Sequence, residues 1–412
     1  MDSTTQEVIT FIEENDVKFI RLAFCDVLGR QKNISVMPSQ ITRVFEDGIS
    51  FDAAAVLGFK GIAESDLFLF PDATTLDILP WRPQVGRVIR FFCDIRYGDG
   101  TPFENDTRSL LKNKLYVIKE KGMRVMTGME CEFYLFSLDE KGQPTLRPMD
   151  QGAYLDIAPK DKGEDIRREI CLTLEEMGIM PESSHHEQGP GQNEIDFHFD
   201  EALISCDHYM TFKWAVETIA DSNDLYASFM PKPLKDKSGS GLHINLSLAK
   251  NNRNIFAKEQ PELFHQFIAG ILAHIREITL FLNPDRNSYE RLGEYEAPMY
   301  ISWSHRNRSA LIRIPDASPA YMRCEVRSPD NLCNPYLAVY LLLCAGMEGI
   351  EKQLVLQEES HGDLNAKGSE FPTIPLSLEE ALDCAKESSF LKKHLPESLL
   401  EFYLTYMKKE HR

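Results

Sequence analysis

Apolar and polar residues alternate in short runs through the first hundred positions, then settle into longer blocks with helical spacing. The opening part therefore predicts strands and turns, and the rest predicts helices interleaved with strands. VKFIRLAFCD (Val17–Asp26), a turn centred on Gly29 and QKNISV (Gln31–Val36) form a predicted hairpin. VIRFFCDI (Val88–Ile95) is another predicted strand, closed by GDGTPF. Asp106 and Thr107 then cap a helix that runs to about Lys121 and stops at Gly122. This change of pattern puts a domain boundary near residue 102, dividing the chain into 1–102 and 103–412. In the second part Asp165–Met177, Tyr209–Leu225, Pro261–Leu282 and Pro335–Leu354 have helical spacing, and Ser377–Phe390 and Pro396–Lys409 are expected to close the chain.

Four predicted strands share an unusual property. Side chains alternate across a strand, so positions i and i+2 lie on one face. In GMECEFYLF, Glu130 and Glu132 share a face with Tyr134 and oppose Met129, Cys131, Phe133 and Leu135. In NEIDFHF, Glu194, Asp196 and His198 oppose Ile195, Phe197 and Phe199. In GLHINLSL, His243, Asn245 and Ser247 oppose four aliphatic residues; in MRCEVRSP, Arg323, Glu325 and Arg327 oppose Met322, Cys324 and Val326. One such strand alone would be the wet face of an antiparallel sheet. A wet face recruits lysine, however, and none of the four contains one. Carboxylate, imidazole, amide and guanidinium are instead the groups that hold metals and phosphates, so the four faces predict one shared concave site.

Ligand hardness narrows the metal. Glu130, Glu132, Glu187, Glu194 and Glu325 offer oxygen, and His243 a single nitrogen. Such a set suits Mg²⁺ or Mn²⁺ better than zinc, and five carboxylates allow two or three ions of the kind that serve phosphoryl transfer. Arg291, Arg308 and Arg313 supply positive charge nearby, while Arg306 reads as a surface ion pair.

Composition removes other classes. The formal charge is −19 with no basic stripe, which argues against nucleic acid. The most apolar stretch, Tyr336 to Met347, is too short to span a bilayer and predicts a buried helix. The acidic start does not fit a secretory signal, and nine scattered cysteines without a Cys-x-x-Cys pair predict reduced thiols, so the expected location is cytoplasmic.

These segments, in this order, resemble the glutamine synthetase family of the bacterial type I group. The resemblance runs through FDAAAVLGFKGIAESDLFLFPD (Phe51–Asp72), MECEFYLF, HHEQGPGQNEID (His185–Asp196) and FMPKPLKDKSGSGLHINLSL (Phe229–Leu248), and on through NSYERLGEYEAP, RNRSALIRIP and RCEVRSPDNLCNPYLA. It implies an α+β protein with an N-terminal β-grasp domain and a catalytic domain built on a curved antiparallel sheet flanked by helices. It also implies ATP-dependent joining of L-glutamate to ammonia through γ-glutamyl phosphate. Carried over residue by residue, Glu132, Glu187 and Glu194 would hold a metal near glutamate, and Glu130, His243 and Glu325 a metal near the ATP phosphates. Gly239, Arg291 and Arg327 would bind glutamate or the transferring group, and Arg308 and Arg313 the phosphates. Ser247 and Arg323 match nucleotide contacts. Asp52 from an adjacent subunit, Tyr154 and Glu296 match the ammonium site, with Glu296 on a flap.

Some positions depart from the family pattern. Ala55 stands where a serine is usual, Ser238 replaces an asparagine, Asn245 replaces a histidine, and the loop from Arg291 to Glu296 is one residue shorter. A less polar pocket would suit a second acceptor class, so the alternative is a γ-glutamyl ligase for a polyamine or small alkylamine. The resemblance further implies a homo-hexamer or dodecamer with sites between subunits.

Overall fold

The computed structural model describes residues 2–82, 85–257, 261–367 and 369–410. Its first part is a six-stranded sheet in the order Gln31–Val36, Val17–Cys25, Arg87–Arg96, Asp66–Pro71, Ile49–Asp52, with Asp77–Ile78 also paired to Arg87–Arg96. The predicted hairpin is present, Ile20 facing Val36 and Cys25 facing Gln31. Val17–Cys25 runs parallel to Arg87–Arg96, so the strands from the two ends of this part lie side by side at its centre. The helices Ser3–Glu14 and Ile41–Asp47 cover one face.

Alternation divides this sheet between two cores. Ile20, Leu22 and Phe24 point into a small core with Leu67, Ile89 and Phe91. Ala23, Cys25 and Phe92 point the other way, into the large core of the second part. An ionic cluster adds to that seam. Arg108, at the start of the Thr107–Glu120 helix, is 4% exposed and donates to Asp207 at 2.8 and 3.0 Å, to Asp94 at 2.9 Å and to Asp72 at 3.2 Å. Lys112, one turn on, reaches Asp94 at 2.8 Å and Asp72 at 3.1 Å. Asp72 and Asp94 belong to the first part and Asp207 to the second, so one guanidinium ties the two together.

The second part carries an eleven-stranded sheet whose main path is Trp303–His305, Ile312–Ile314, Cys324–Val326, Leu242–Lys250, Arg124–Leu138, Gln192–Phe197, Pro181–His186. All its ladders are antiparallel except Trp303–His305 on Ile312–Ile314. Helices pack against the apolar face. Among them Pro335–Glu351 is buried nearly throughout, as its apolar run predicts; Asn334 caps it, accepting from Tyr336 N at 3.0 Å. It crosses Pro261–Leu282 at bare backbone: a Cβ on Gly270 would sit 2.1 Å from the Ala345 carbonyl oxygen. The α+β class and the two-part order are as the sequence predicts.

Three helical expectations need correction. The helix expected from Tyr209 begins at Ala202 and ends at Ser222, because Ala202 and Cys206 extend its buried stripe and Asp207 is buried on Arg108; Leu225 belongs to the strand Leu225–Ser228. The Pro335 helix stops at Glu351 rather than Leu354. The Ser377–Phe390 helix is two, Leu378–Glu387 and Ser389–His394, since the Ser388 hydroxyl leaves the first to cap the second, accepting from Leu391 N at 2.9 Å. Among the described residues no helix is long and apolar enough to cross a membrane. All nine cysteines are free thiols.

Candidate active site

The four charged faces lie on adjacent strands, and their register brings the polar residues together. On one side of Glu130 stands Asp196, on the other His243, and Glu132 faces Glu194. One strand further, Asn245 faces Glu325, which faces Arg313. Of this row Glu130, Glu132, Glu194, Asp196, His243 and Arg313 line a cavity of about 790 Å³ whose rim is formed by loops from Ala153, Ser238 and Glu294. A second cavity of about 400 Å³ adjoins it, with Glu130 and Asp196 in the wall of both.

Two donor groups meet the demands of a divalent cation. Ligand atoms of Glu130, His243 and Glu325 all lie within 4.8 Å of one another, with His243 Nδ1 3.2 Å from Glu130 and 3.6 Å from Glu325. Ligand atoms of His185, Glu187 and Glu194 are equally close. A third group, Glu130, Glu194 and Asp196, bridges them. Glu132 lines the same cavity but directs Oε2 to the Gly241 N–H at 2.7 Å. Electrostatics favours cations here. Burial, then repulsion from Glu132, raises the carboxyl pKa of Glu187; burial and neighbouring carboxylates raise those of Glu194 and Asp196. Glu130 goes the other way: burial would raise it, but the His243 hydrogen bond and charge, with Asn245 and Arg327, hold it down. Crowded, desolvated oxygens that resist carrying their charge together are a site that a hard dication relieves.

The cationic wall is built around Glu325. Arg327 bonds it at 2.5 Å and Arg313 at 2.6 Å, while Arg327 Nε donates to the Arg308 carbonyl at 2.9 Å. Glu296 stands 3.8 Å from Arg327 and 4.0 Å from Arg308. Arg291 is buried and reaches this wall, yet it donates to the carbonyls of Ser328, Pro329 and Arg327, so its guanidinium braces the main chain. Gly239 is wedged between Arg291 and the Pro231 carbonyl; a Cβ there would meet them at 2.8 and 2.4 Å. The Ser238 hydroxyl, buried beside it, donates to Gln192 at 2.6 Å, and Gln192 in turn donates to the Gly239 carbonyl at 3.0 Å. Tyr154 stands edge-on to His185, ring centres 5.5 Å apart.

Ser247 and Arg323 line the second cavity with Asn245, beneath the rings of Phe199 and Tyr321, which lie 6.2 Å apart. Asp52 lines neither cavity. It is exposed on the small sheet, where its carboxylate caps Ala54 N at 3.0 Å. His198 shares the charged face in sequence but ends 3.3 Å from Glu182 at the surface. Arg306 is a surface ion pair with Asp316, as expected. Sequence reasoning passed over His185 and Gln192, and put Asp196 on a charged face without assigning it a role. His185 was signalled by its i, i+2 partnership with Glu187; nothing local marked Gln192.

Comparison with known proteins agrees throughout the chain. Residues 16–97 match the model of the glutamine synthetase β-grasp domain, and residues 104–412 match that of the glutamine synthetase catalytic domain. The glutamine synthetase of Clostridium saccharobutylicum is 43% identical, covering 97% of this chain and 93% of the relative. That of Methanosarcina mazei is 44% identical, covering 98% and 93%. Among solved structures, a GmaS/ADP complex superposes with a TM-score of 0.90 at 29% identity, covering 98% of this chain and 95% of the other. The Plasmodium falciparum glutamine synthetase superposes with a TM-score of 0.88 at 25% identity, covering 100% and 96%.

Proposed function

We propose a reaction for this chain from the premise that it belongs to the glutamine synthetase family, whose two domain models match nearly all of it. It is an ATP-dependent glutamate–ammonia ligase: glutamate, ATP and ammonia give glutamine, ADP and phosphate. The observation that carries this reading is the register that sets Glu130 between Asp196 and His243, with arginines on Glu325 beside them.

A carboxylate resists an amine because oxide is a poor leaving group, so the γ-carboxylate is first phosphorylated. Glu130, His243 and Glu325 would hold one divalent ion on the nucleotide side; Glu132, Glu187 and Glu194, with His185 beside them, would hold another on the glutamate side. When bound, such ions would supply positive charge against the transferring phosphoryl group. The oxygen-rich ligand sets suit Mg²⁺ or Mn²⁺ alike, and the Glu130–Glu194–Asp196 group would leave room for a third ion. Arg308, Arg313 and Arg327 stabilise the phosphoryl oxygens, a preorganised term that is usually the largest in such a step. Gly239 presents its main chain to glutamate, and Arg291 fixes that wall. The nucleotide lies in the second cavity against Ser247 and Arg323.

Ammonium must then lose a proton before it attacks. Glu296 and Tyr154 face the glutamate side and Asp52 completes the ammonium pocket from an adjacent subunit, a reading supported by its exposure and its place outside both cavities. The active assembly is therefore a cyclic homo-oligomer, a hexameric ring single or doubled. The amine-ligase alternative is not favoured, given full-length relatives named glutamine synthetase at 43 and 44% identity. Ser238, one of the departures from the family pattern, engages Gln192.

The test is phosphate release from ATP with glutamate and Mg²⁺, comparing ammonium with putrescine, ethanolamine and methylamine. Turnover with ammonium, one glutamine per phosphate, is expected; turnover only with an amine would overturn the assignment.

A further inference from the structure

Lys232 is a buried cation that the chemistry above does not use. It lies between Pro231 and Pro233, is 5% exposed, and its Nζ has no hydrogen-bond partner among the described residues. Its main chain is pinned to the Arg286–Arg291 helix, Lys232 N donating to Asn287 Oδ1 at 2.7 Å and its carbonyl accepting from Asn287 Nδ2 at 2.9 Å. The ammonium stands over the ring of Tyr295, 4.9 Å from the centroid, within the field of the Glu294, Asp236 and Glu290 carboxylates, none of which hydrogen-bonds it. A desolvated ammonium without a hydrogen bond is costly, and an aromatic face is the group that offsets part of that cost.

Tyr295 belongs to the loop that follows that helix and roofs the cavity. Its backbone is left-handed at φ 53°, a conformation a bulky residue holds only under constraint from its surroundings. The constraints are visible. Its hydroxyl donates to the Asp236 carbonyl at 2.9 Å, and Asn365 Nδ2 donates to the carbonyls of Tyr295 at 3.2 Å and Ala297 at 3.1 Å. Between those two carbonyls sits Glu296, turned toward Arg327 and Arg308. The aim of Glu296 thus depends on where the Tyr295 ring is held.

We propose that Lys232 is a positioning residue: through the ring of Tyr295 it keeps the Gly293–Ala297 loop closed over the cavity, so that the activated acyl group meets ammonia before water. This rests on the reaction assigned above. In the leak it prevents, water attacks the γ-carbonyl carbon, the bond from that carbon to the phosphate oxygen breaks, and glutamate and phosphate leave. ATP is then hydrolysed without an amide being made.

The experiment measures phosphate released per glutamine formed, with amide hydrogen exchange of residues 293–297 in the substrate-free protein. Lys232→Met and Tyr295→Leu are expected to raise the phosphate-to-glutamine ratio and the loop exchange rate roughly fivefold each, with no further rise in the double variant. Lys232→Arg, which keeps a cation over the ring, is expected to restore both. A Lys232→Met protein that loses turnover while its ratio stays at one and its loop exchanges as before has lost general structure only, and overturns the proposal. Wild-type protein without glutamate- and ammonium-dependent phosphate release would overturn the reaction itself, and this inference with it.

Discussion

Asn245 donates its side-chain amide to Glu130 at 2.8 Å while its own carbonyl accepts from Arg323 Nε at 3.0 Å. One side chain therefore orients a carboxylate of the proposed metal site in the first cavity and an arginine of the second. Asn245→Ala removes both bonds while leaving Glu130, His243 and Glu325 themselves in place. Such outer partners are typically worth about 10-fold in metal affinity. We expect a loss of that size for Mn²⁺ in a calorimetric titration, with a raised KM for ATP and an unchanged Tm.

Proton release should accompany metal binding. Glu187, Glu194 and Asp196 have raised pKa values, so near and below neutral pH they keep protons that a cation must expel. Apparent Mg²⁺ affinity therefore rises with pH through the range in which they ionise, and falls as pH is lowered. Titration calorimetry in two buffers of different ionisation enthalpy checks this; identical apparent heats would mean the carboxylates are already fully charged.

Arg327→Lys keeps the charge and loses the fork. Arg327 binds Glu325 with one arm and the Arg308 carbonyl with Nε, a geometry a lysine cannot reproduce. Removing one preorganised donor from a phosphoryl-transfer site costs about 100-fold in kcat. Steady-state kinetics should show that drop with a smaller change in the KM for glutamate, whereas an effect confined to KM would make Arg327 a simple binding group.

The seam between the two parts makes a stability prediction. Arg108→Met leaves Asp72, Asp94 and Asp207 without their central partner; breaking a buried ionic cluster in this way costs about 3–5 kcal/mol. Lys112 still reaches Asp72 and Asp94, so Asp207 is the carboxylate most exposed to the loss. Chemical denaturation should show the lower midpoint, and Arg108→Met combined with Asp207→Asn should recover part of it.

The sequence carried most of the polar face of each site strand, because alternation is local; it fails at His198, which lies past the end of the strand Gln192–Phe197, and the strand around Glu325 is only Cys324–Val326. It did not carry the register. That Glu130 meets Asp196 rather than Glu194 depends on how the turns and the apolar core align two strands distant in sequence, and a slip by one residue would turn each face over. The same non-locality hid Gln192, whose role exists only because Ser238 and Gly239 fold back onto it. Arg291 was legible as a site residue but not as a brace, since the three carbonyls it holds come from a segment beginning at Arg327. The helix start at Ala202 escaped for a related reason: Asp207 interrupts the apolar stripe, and its partner lies at Arg108.

The parallel pairing of Val17–Cys25 with Arg87–Arg96 sets a schedule for the newborn chain. On the ribosome the hairpin to Val36 can form early, but the middle of the small sheet stays open until Arg96 has emerged. Even then Ala23, Cys25 and Phe92 point at a core that has not yet emerged. The N-terminal part is thus made with an apolar back exposed, and it must wait for the helices beyond Thr107 to cover it. Slow passage through that interval would prolong the exposure of Ala23, Cys25 and Phe92, an apolar surface open to aggregation.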